Sequence, residues 1–100
     1  MLNIQKQLEN ESACFALEGR LDTVTSPALQ DEIQAVTDGL KELVLDFGGL
    51  EYVSSAGLRV LLSAQKAMIK QDGTMKVTNE NETIMEIFEV TGFSEILTIE

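Results

Sequence analysis

The alternation of apolar and polar residues changes its period several times along the chain, and each period predicts a different element. Residues 2–8 alternate in twos, which predicts a strand with one wet face at or near a sheet edge. Residues 13–17 are continuously apolar and predict a more central strand, joined to the first as an antiparallel hairpin through a turn at Asn10 and Glu11. Cys14 lies in this apolar run and is predicted to be a small buried residue.

A first helix is predicted after residues 19–22 interrupt the strand pattern. Thr25 and Ser26 provide a hydroxyl cap, and Pro27 suits the first helical turn. Gly39 can take the left-handed conformation that often ends a helix. The apolar residues between these limits fall at helical spacing and form one stripe, which consists of Leu29, Ile33, Val36 and Leu40.

The segment from Leu43 to Met68 is the most informative part of the chain. Residues 43–47 are almost all apolar and precede two glycines, which predicts a strand covered on both faces that ends at the glycines. Ser54 and Ser55 then stand where a second helix needs its cap. The predicted buried stripe of that helix is Leu58, Leu61, Leu62, Gln65, Met68 and Ile69.

The last third of the chain predicts a short strand and a third helix. Met75 and Val77 alternate with polar residues, and residues 79–81 can cap a helix that ends at Gly92. The stripe of this helix is Ile84, Ile87 and Phe88, and a closing turn and short strand follow it. The β-α-β-α-β-α order after the hairpin predicts right-handed crossovers and a mainly parallel sheet. The pattern leaves open whether the helices cover one face or both.

Composition excludes several classes of function. A formal net charge of −10 disfavours binding to nucleic acid or to an anionic membrane surface. The chain has no histidine, which excludes a Ser-His-Asp triad, and its one cysteine cannot form an intrachain disulfide. It has neither an apolar N-terminal segment nor a run of 18 apolar residues. We therefore predict one domain over residues 1–100, cytoplasmic, without membrane insertion and without a cofactor.

Polar residues that follow the predicted strands should gather at one edge of a parallel sheet. These are Asp22, Asp46, Ser54, Ser55 and Asn79. Each also has a purely structural interpretation: a serine can cap the second helix, Asp46 can close a turn with the next glycine amide, and Asp22 can accept bonds from loop amides. Asp22 and Asp46 could together hold magnesium, but two carboxylates alone are weak support, and no metal site is predicted.

Three segments resemble a known family. Leu45-Asp46-Phe47-x-x-Leu50-x-Tyr52-Val53-Ser54-Ser55-Ala56-Gly57-Leu58 resembles the signature of STAS domains, found in sulphate transporters and anti-sigma factor antagonists. Residues 19–22, Gly-Arg-Leu-Asp, are similar to the family's Gly-x-Leu-Asp loop, and residues 88–93 resemble its last helix and turn. The resemblance covers essentially the whole chain. Because transporter helices are absent, it points to the stand-alone bacterial anti-sigma factor antagonists.

The resemblance implies an α/β, STAS-like fold: a mixed sheet of four to five strands, opened by an antiparallel N-terminal hairpin, with three to four helices. It also implies that the unphosphorylated form binds an anti-sigma factor serine kinase and frees the sigma factor. Phosphorylation ends this binding, and a phosphoserine phosphatase restores it. The implied acceptor is Ser55, with Ser54, which replaces the aspartate common in the phosphorylated antagonists, as a less favoured second. The implied partner surface is Asp22, Asp46, Ser54, Ser55 and Gly57.

Two other classes of function stay open. The first is a constitutive STAS interaction module, such as an accessory subunit of a transport or regulatory complex, in which Ser55 is not phosphorylated. The second is an enzyme, which the sequence disfavours because no base accompanies either serine and no Walker-type phosphate loop is present.

Overall fold

The computed structural model describes residues 2–100, which form one sheet and the helices packed on it. Strands and helices follow one another in the predicted order. Their bounds are β1 Leu2–Glu9, β2 Ser12–Leu21, α1 Ser26–Thr37, β3 Glu42–Val53, α2 Ser55–Lys70, β4 Thr74–Thr78, α3 Glu82–Thr91, α4 Phe93–Ile96 and β5 Thr98–Ile99.

The sheet is mixed, and its spatial order is the chain order β1-β2-β3-β4-β5. The hairpin pairs β1 and β2 antiparallel, from Leu2 opposite Gly19 to Glu9 opposite Ser12, while the other strand pairs are parallel. Within residues 2–100 there are thus five strands and four helices, which confirms the predicted α/β, STAS-like fold class. The edge position of β1 also confirms the interpretation of its alternating pattern.

All the helices pack on one face of the sheet, which answers the question that the sequence left open. Phe15, Leu45 and Val77 lie side by side on β2, β3 and β4 and are fully buried. Each parallel crossover moves one strand in the same direction, so right-handed connections place every helix on the same side. Cys14 and Val44, on the opposite face, are only half-buried. The predictions of a strand covered on both faces and of a buried Cys14 are therefore wrong.

The strand β3 does not end at Gly48 and Gly49 but continues to Val53, and β2 continues to Leu21. The pairing between these strands shifts register near the glycines, as in a β-bulge. A Cβ atom on Gly49 would lie 3.1 Å from the Cβ of Glu18 on the neighbouring strand. The glycines therefore permit a close approach of two backbones inside the sheet, and they do not mark its end.

The helices bury most of the apolar residues that were predicted to face the core. The exception is α2, which is rotated about its axis relative to the prediction. Leu58, Leu61 and Met68 of α2 are buried as predicted, whereas Ile69 is 61% exposed. Val60 and Ala64, which were not part of the predicted stripe, are buried instead, because α2 packs against α1 as well as against the sheet. The buried apolar residues of α1 and α3 are Leu29 and Ile33 of α1 and Ile84 and Phe88 of α3.

Candidate functional site at the start of α2

Ser54 and Ser55 have different roles, although they are adjacent and chemically identical. Ser54 is the N-cap of α2: its Oγ accepts a hydrogen bond from the Gly57 amide at 3.3 Å, and its own amide donates to the Leu21 carbonyl at 2.9 Å. Ser55 is the first residue of the helix, and it is exposed. The Ser54 hydroxyl therefore has a structural function, while the Ser55 hydroxyl faces solvent at a fixed position.

Gly57 lies where the first turn of α2 packs closely against the end of β2. It is buried, and a Cβ atom added to it would lie 2.8 Å from Leu21 Cγ and 3.0 Å from the Leu21 carbonyl oxygen. Only a residue without a side chain fits this contact. The prediction that Gly57 forms part of the partner surface needs correction, because Gly57 positions the helix from inside and is not itself accessible.

The loop after β2 is organised around the Asp22 carboxylate. Its Oδ1 accepts hydrogen bonds from the amides of Val24 and Thr25, each at 3.0 Å, and lies 3.1 Å from Thr25 Oγ1. The Thr25 hydroxyl also accepts from the Asp22 amide at 2.9 Å. The Thr25 amide bond, followed by the other bonds from Thr25 and Val24, holds the pKa of Asp22 below its usual value. Asp22 is thus an ionised, fixed carboxylate beside Leu21 and the start of α2.

Thr25 was predicted to cap α1 and instead orders this loop. It stands at the N-cap position, but its side chain makes no capping bond; Oγ1 donates to the Arg20 carbonyl at 2.8 Å. The Ser26 amide and hydroxyl both donate to the Asp22 carbonyl, at 2.8 and 2.5 Å. The sequence signal for this arrangement is an aspartate three residues before a threonine, which favours a local side-chain turn.

Two arginines lie at the same end of the molecule, and sequence analysis did not single them out. The guanidinium carbon of Arg20 lies 4.6 Å above the ring centroid of Tyr52, its neighbour across β2 and β3. Arg59 is exposed on α2, one helical turn after Ser55. The spacing of four residues between Ser55 and Arg59 is the signal that could have found the second of them.

Asp46 lies apart from this group, contrary to the prediction of one common edge. Its Oδ1 accepts hydrogen bonds from the Gly48 amide at 2.9 Å and from Asn79 Nδ2 at 3.0 Å. The bond to Gly48 confirms the turn-closing interpretation. Because β3 continues past the glycines, Val53 lies seven positions beyond Asp46 along the strand, a distance on the order of 20 Å. Asp46 and Asn79 therefore form a second, separate polar cluster.

The same displacement separates Asp46 from Asp22, so these two carboxylates cannot share a magnesium ion. Within residues 2–100, no group of three or more Cys, Asp or Glu side chains is arranged to hold a metal. Asp46 instead faces the open side of the sheet near Cys14, whose thiol pKa is raised by partial burial and by the charge of Asp46. No helix in the described part of the chain has both the length and the apolar character needed to cross a bilayer.

The residues that form this site lie within the match to a known family. The family model described as "Mlab, STAS domain" matches residues 4–98. The chain belongs to the STAS family. The match covers β2, β3 and α2 together, so it includes the Asp22 loop, the Ser54 cap and the exposed Ser55.

Several relatives of this STAS domain are anti-sigma factor antagonists by name. BtrV of Bordetella bronchiseptica, assigned as an anti-sigma factor antagonist, is 34% identical over 84 residues, which are 83% of this chain and 72% of BtrV. The anti-sigma-B factor antagonist of Bacillus subtilis is 28% identical over 94 residues, which are 94% of this chain and 85% of that protein.

Solved structures share the fold of this STAS domain. An anti-sigma factor antagonist from Mycobacterium paratuberculosis superposes with a TM-score of 0.87 at 24% identity, covering 99% of this chain and 85% of that one. The Bacillus cell fate determinant SpoIIAA in its phosphorylated form gives a TM-score of 0.77 at 17% identity, covering 98% and 91%. At these identities the likeness establishes the fold alone.

Proposed function

We propose that this STAS domain is an anti-sigma factor antagonist. In this proposal the unphosphorylated domain binds an anti-sigma factor that is also a serine kinase, and the sigma factor is released. The kinase then transfers the γ-phosphoryl group of ATP to Ser55 Oγ, ADP leaves, and the hydroxyl proton passes to a base of the kinase. The modified domain no longer binds, and a phosphoserine phosphatase restores the original state.

The observation that carries this proposal is the division of roles between the two serines. A kinase needs a hydroxyl that it can reach and that the fold does not need. Ser55 is exposed at the first position of α2, whereas Ser54 uses its hydroxyl to cap the helix. The names of the relatives support the same function.

The proposed partner surface consists of the Asp22 loop, Ser54 and Ser55. Asp22 is ionised and held by Thr25, so it offers a fixed acceptor for an arginine or lysine of the partner. The bond between the Ser54 amide and the Leu21 carbonyl fixes the loop and the helix start relative to each other. A surface that is ordered before binding loses less entropy when the partner docks.

The decisive experiment combines the purified domain with its cognate kinase and ATP and measures intact mass. We expect one added phosphate on the wild type and on Ser54→Ala, and none on Ser55→Ala. Circular dichroism of both variants checks that the helix start survives. Phosphate on Ser55→Ala would move the acceptor to Ser54, and an unmodified wild type would contradict the switch.

The description of the matching family model favours a second candidate, because it names MlaB and not an antagonist. In that case the domain is a constitutive module of a transport or regulatory complex, and Ser55 is only the first residue of a helix. Binding to the partner would then be the same with and without ATP. A binding assay in both conditions separates the two functions.

A further inference from the structure

A groove next to Ala56, the residue after Ser55, is lined by one positively charged side chain and by no negatively charged one. It lies between the start of α2 and the loop that leads into α1, and Thr23, Pro27, Ala56 and Arg59 are among its lining residues. Arg59 is the one charged residue of this lining, in a chain whose net charge is −10. The lining of this groove therefore favours an anion, and the Asp22 carboxylate of the neighbouring loop is not part of that lining.

Arg59 is placed so that its side chain can reach the Ser55 hydroxyl. Residues four apart on a helix lie on the same face, with Cβ atoms about 5–6 Å from each other. The Cα–Cβ bonds of a helix tilt toward its N-terminus, so the Cα–Cβ bond of Arg59 is directed toward the turn that carries Ser55. Ser55, Arg59 and Ser63 are all exposed and continue one stripe along α2.

Among residues 2–100, no carboxylate forms an ion pair with Arg59 that would compete with a phosphate. The ion pairs found within residues 2–100 join Lys6 to Glu32 at 2.6 Å and Lys76 to Glu100 at 3.5 Å. The nearby Asp22 carboxylate is bound by Thr25 and Val24. The other arginine, Arg20, rests on the ring of Tyr52.

We propose that Arg59 binds the phosphate of phosphorylated Ser55 within the same molecule. The inference rests on the proposed function, because it concerns the state that the kinase produces. A guanidinium presents two parallel donors that match two phosphate oxygens, which makes the pair directional as well as electrostatic. Arg59 is thus a positioning residue: it holds the phosphate against α2 and stabilises the dianion in the free, switched-off protein.

The test uses the full chain with phosphoserine incorporated at position 55 during synthesis, so that no kinase is needed. Phosphorus NMR measures the second pKa of the phosphate, which is about 6 in the absence of a partner. Removing a cation that stabilises the dianion raises this pKa. We expect Arg59→Gln to raise it by about 0.3 unit at 0.15 M salt.

Lys66→Gln is the matched control, because it removes the same charge from an exposed position of the same helix. Eleven residues of helix place Lys66 about 16 Å from Ser55, beyond the screening length of about 8 Å. We expect no resolvable shift of the phosphate pKa for Lys66→Gln. We expect an intermediate shift for Arg59→Lys, which keeps the charge but loses the two parallel donors of the guanidinium. Equal phosphate pKa values in the wild type and Arg59→Gln would overturn the proposal, as would equal shifts in Arg59→Gln and Lys66→Gln.

This experiment and the kinase assay test the two proposals independently. If no kinase modifies Ser55, the proposed switch is lost, but the phosphate pKa of the synthetic protein is still measured. If Arg59→Gln leaves that pKa unchanged while the kinase modifies Ser55, the switch stands and the role of Arg59 is lost.

Discussion

The Leu21 carbonyl oxygen and the position that a Gly57 Cβ would take are 3.0 Å apart, which is closer than real Cβ atoms ordinarily approach an oxygen. The end of β2 and the first turn of α2 are thus packed backbone against backbone. This contact sets the height of Ser55 above the sheet and its position relative to the Asp22 loop.

Gly57→Ala is therefore expected to destabilise the domain. A methyl group forced into this contact costs about 1–3 kcal/mol of unfolding free energy. The better helix propensity of alanine returns at most about 1 kcal/mol. Urea unfolding should show a net loss of about 1–2 kcal/mol. Ser63→Ala, at an exposed position of α2, is the control and should be neutral or slightly stabilising; a Gly57→Ala variant as stable as this control would contradict the packing.

Leu61→Ala tests the core of α2 at a fully buried position. Truncation of such a leucine costs about 2–5 kcal/mol, a large part of the stability of a small domain. Ile69→Ala is the control, because Ile69 belongs to the same sequence pattern yet is 61% exposed. Its unfolding midpoint in denaturant should stay near the wild-type value, while that of Leu61→Ala falls clearly. Similar midpoints for the two variants would show that the helix is rotated.

Periodicity was sufficient to predict the order of the elements, the edge strand and most of the buried stripes, because it reports which face of each element is apolar. It placed Ile69 wrongly because the rotation of α2 depends on α1, a tertiary contact that no local window contains. The end of β3 was missed for a related reason. Two consecutive glycines resemble a turn locally, and only the neighbouring strand shows that they form a bulge.

That error carried over to the site. With β3 ending at the glycines, Asp46 belonged beside Ser54 and Asp22; with β3 extended to Val53, it does not. Ser54 and Ser55 were found because a hydroxyl before a helical pattern is a local signal. Which of them caps the helix depends on one hydrogen bond to Gly57, which the sequence pattern does not specify.

Asp22→Asn should make the thermal stability of the domain depend less on pH in the acid range. The folded-state pKa of Asp22 is depressed, mainly by the Thr25 amide bond, so its ionised form stabilises the fold. This contribution is present above the unfolded-state pKa of about 4 and is lost as the pH falls through the folded-state value. Thermal midpoints measured from pH 7 downward should fall less steeply below about pH 4 in Asp22→Asn. The same pH dependence of the thermal midpoint in both proteins would refute this role.

Asp22 and Asp46 should differ in their effect on partner binding, although both are carboxylates bound by backbone amides. Asp22→Ala removes an acceptor beside Ser55 and is expected to weaken capture of the anti-sigma factor kinase. Asp46→Ala changes a cluster on the order of 20 Å away and should leave the affinity unchanged. Surface plasmon resonance with the purified kinase compares them, and thermal midpoints confirm that both are folded. Equal losses of affinity would mean that the partner covers both clusters.

A negative charge on Ser55 should disrupt binding without disrupting the fold. The position is exposed and stands at a helix N-terminus, which favours an anion by roughly 0.3–1 kcal/mol. At the interface the same charge loses its water against a surface shaped for a hydroxyl, and an unpaired buried charge costs several kcal/mol. A loss of about 3–4 kcal/mol corresponds to an affinity several hundred times weaker.

Ser55→Asp is therefore expected to have a thermal midpoint near that of the wild type and to bind the kinase several hundred times more weakly. Ser55→Ala should bind as the wild type does without ATP, and it should stay bound when ATP is added. Ser54→Ala separates the effect of charge from that of helix capping. It should lower the thermal midpoint, because the bond to Gly57 is lost, and it should change the affinity for the kinase only moderately. If Ser55→Asp bound as tightly as Ser55→Ala, charge at this position could not be what ends the complex, since both variants lack the hydroxyl and differ mainly in the carboxylate.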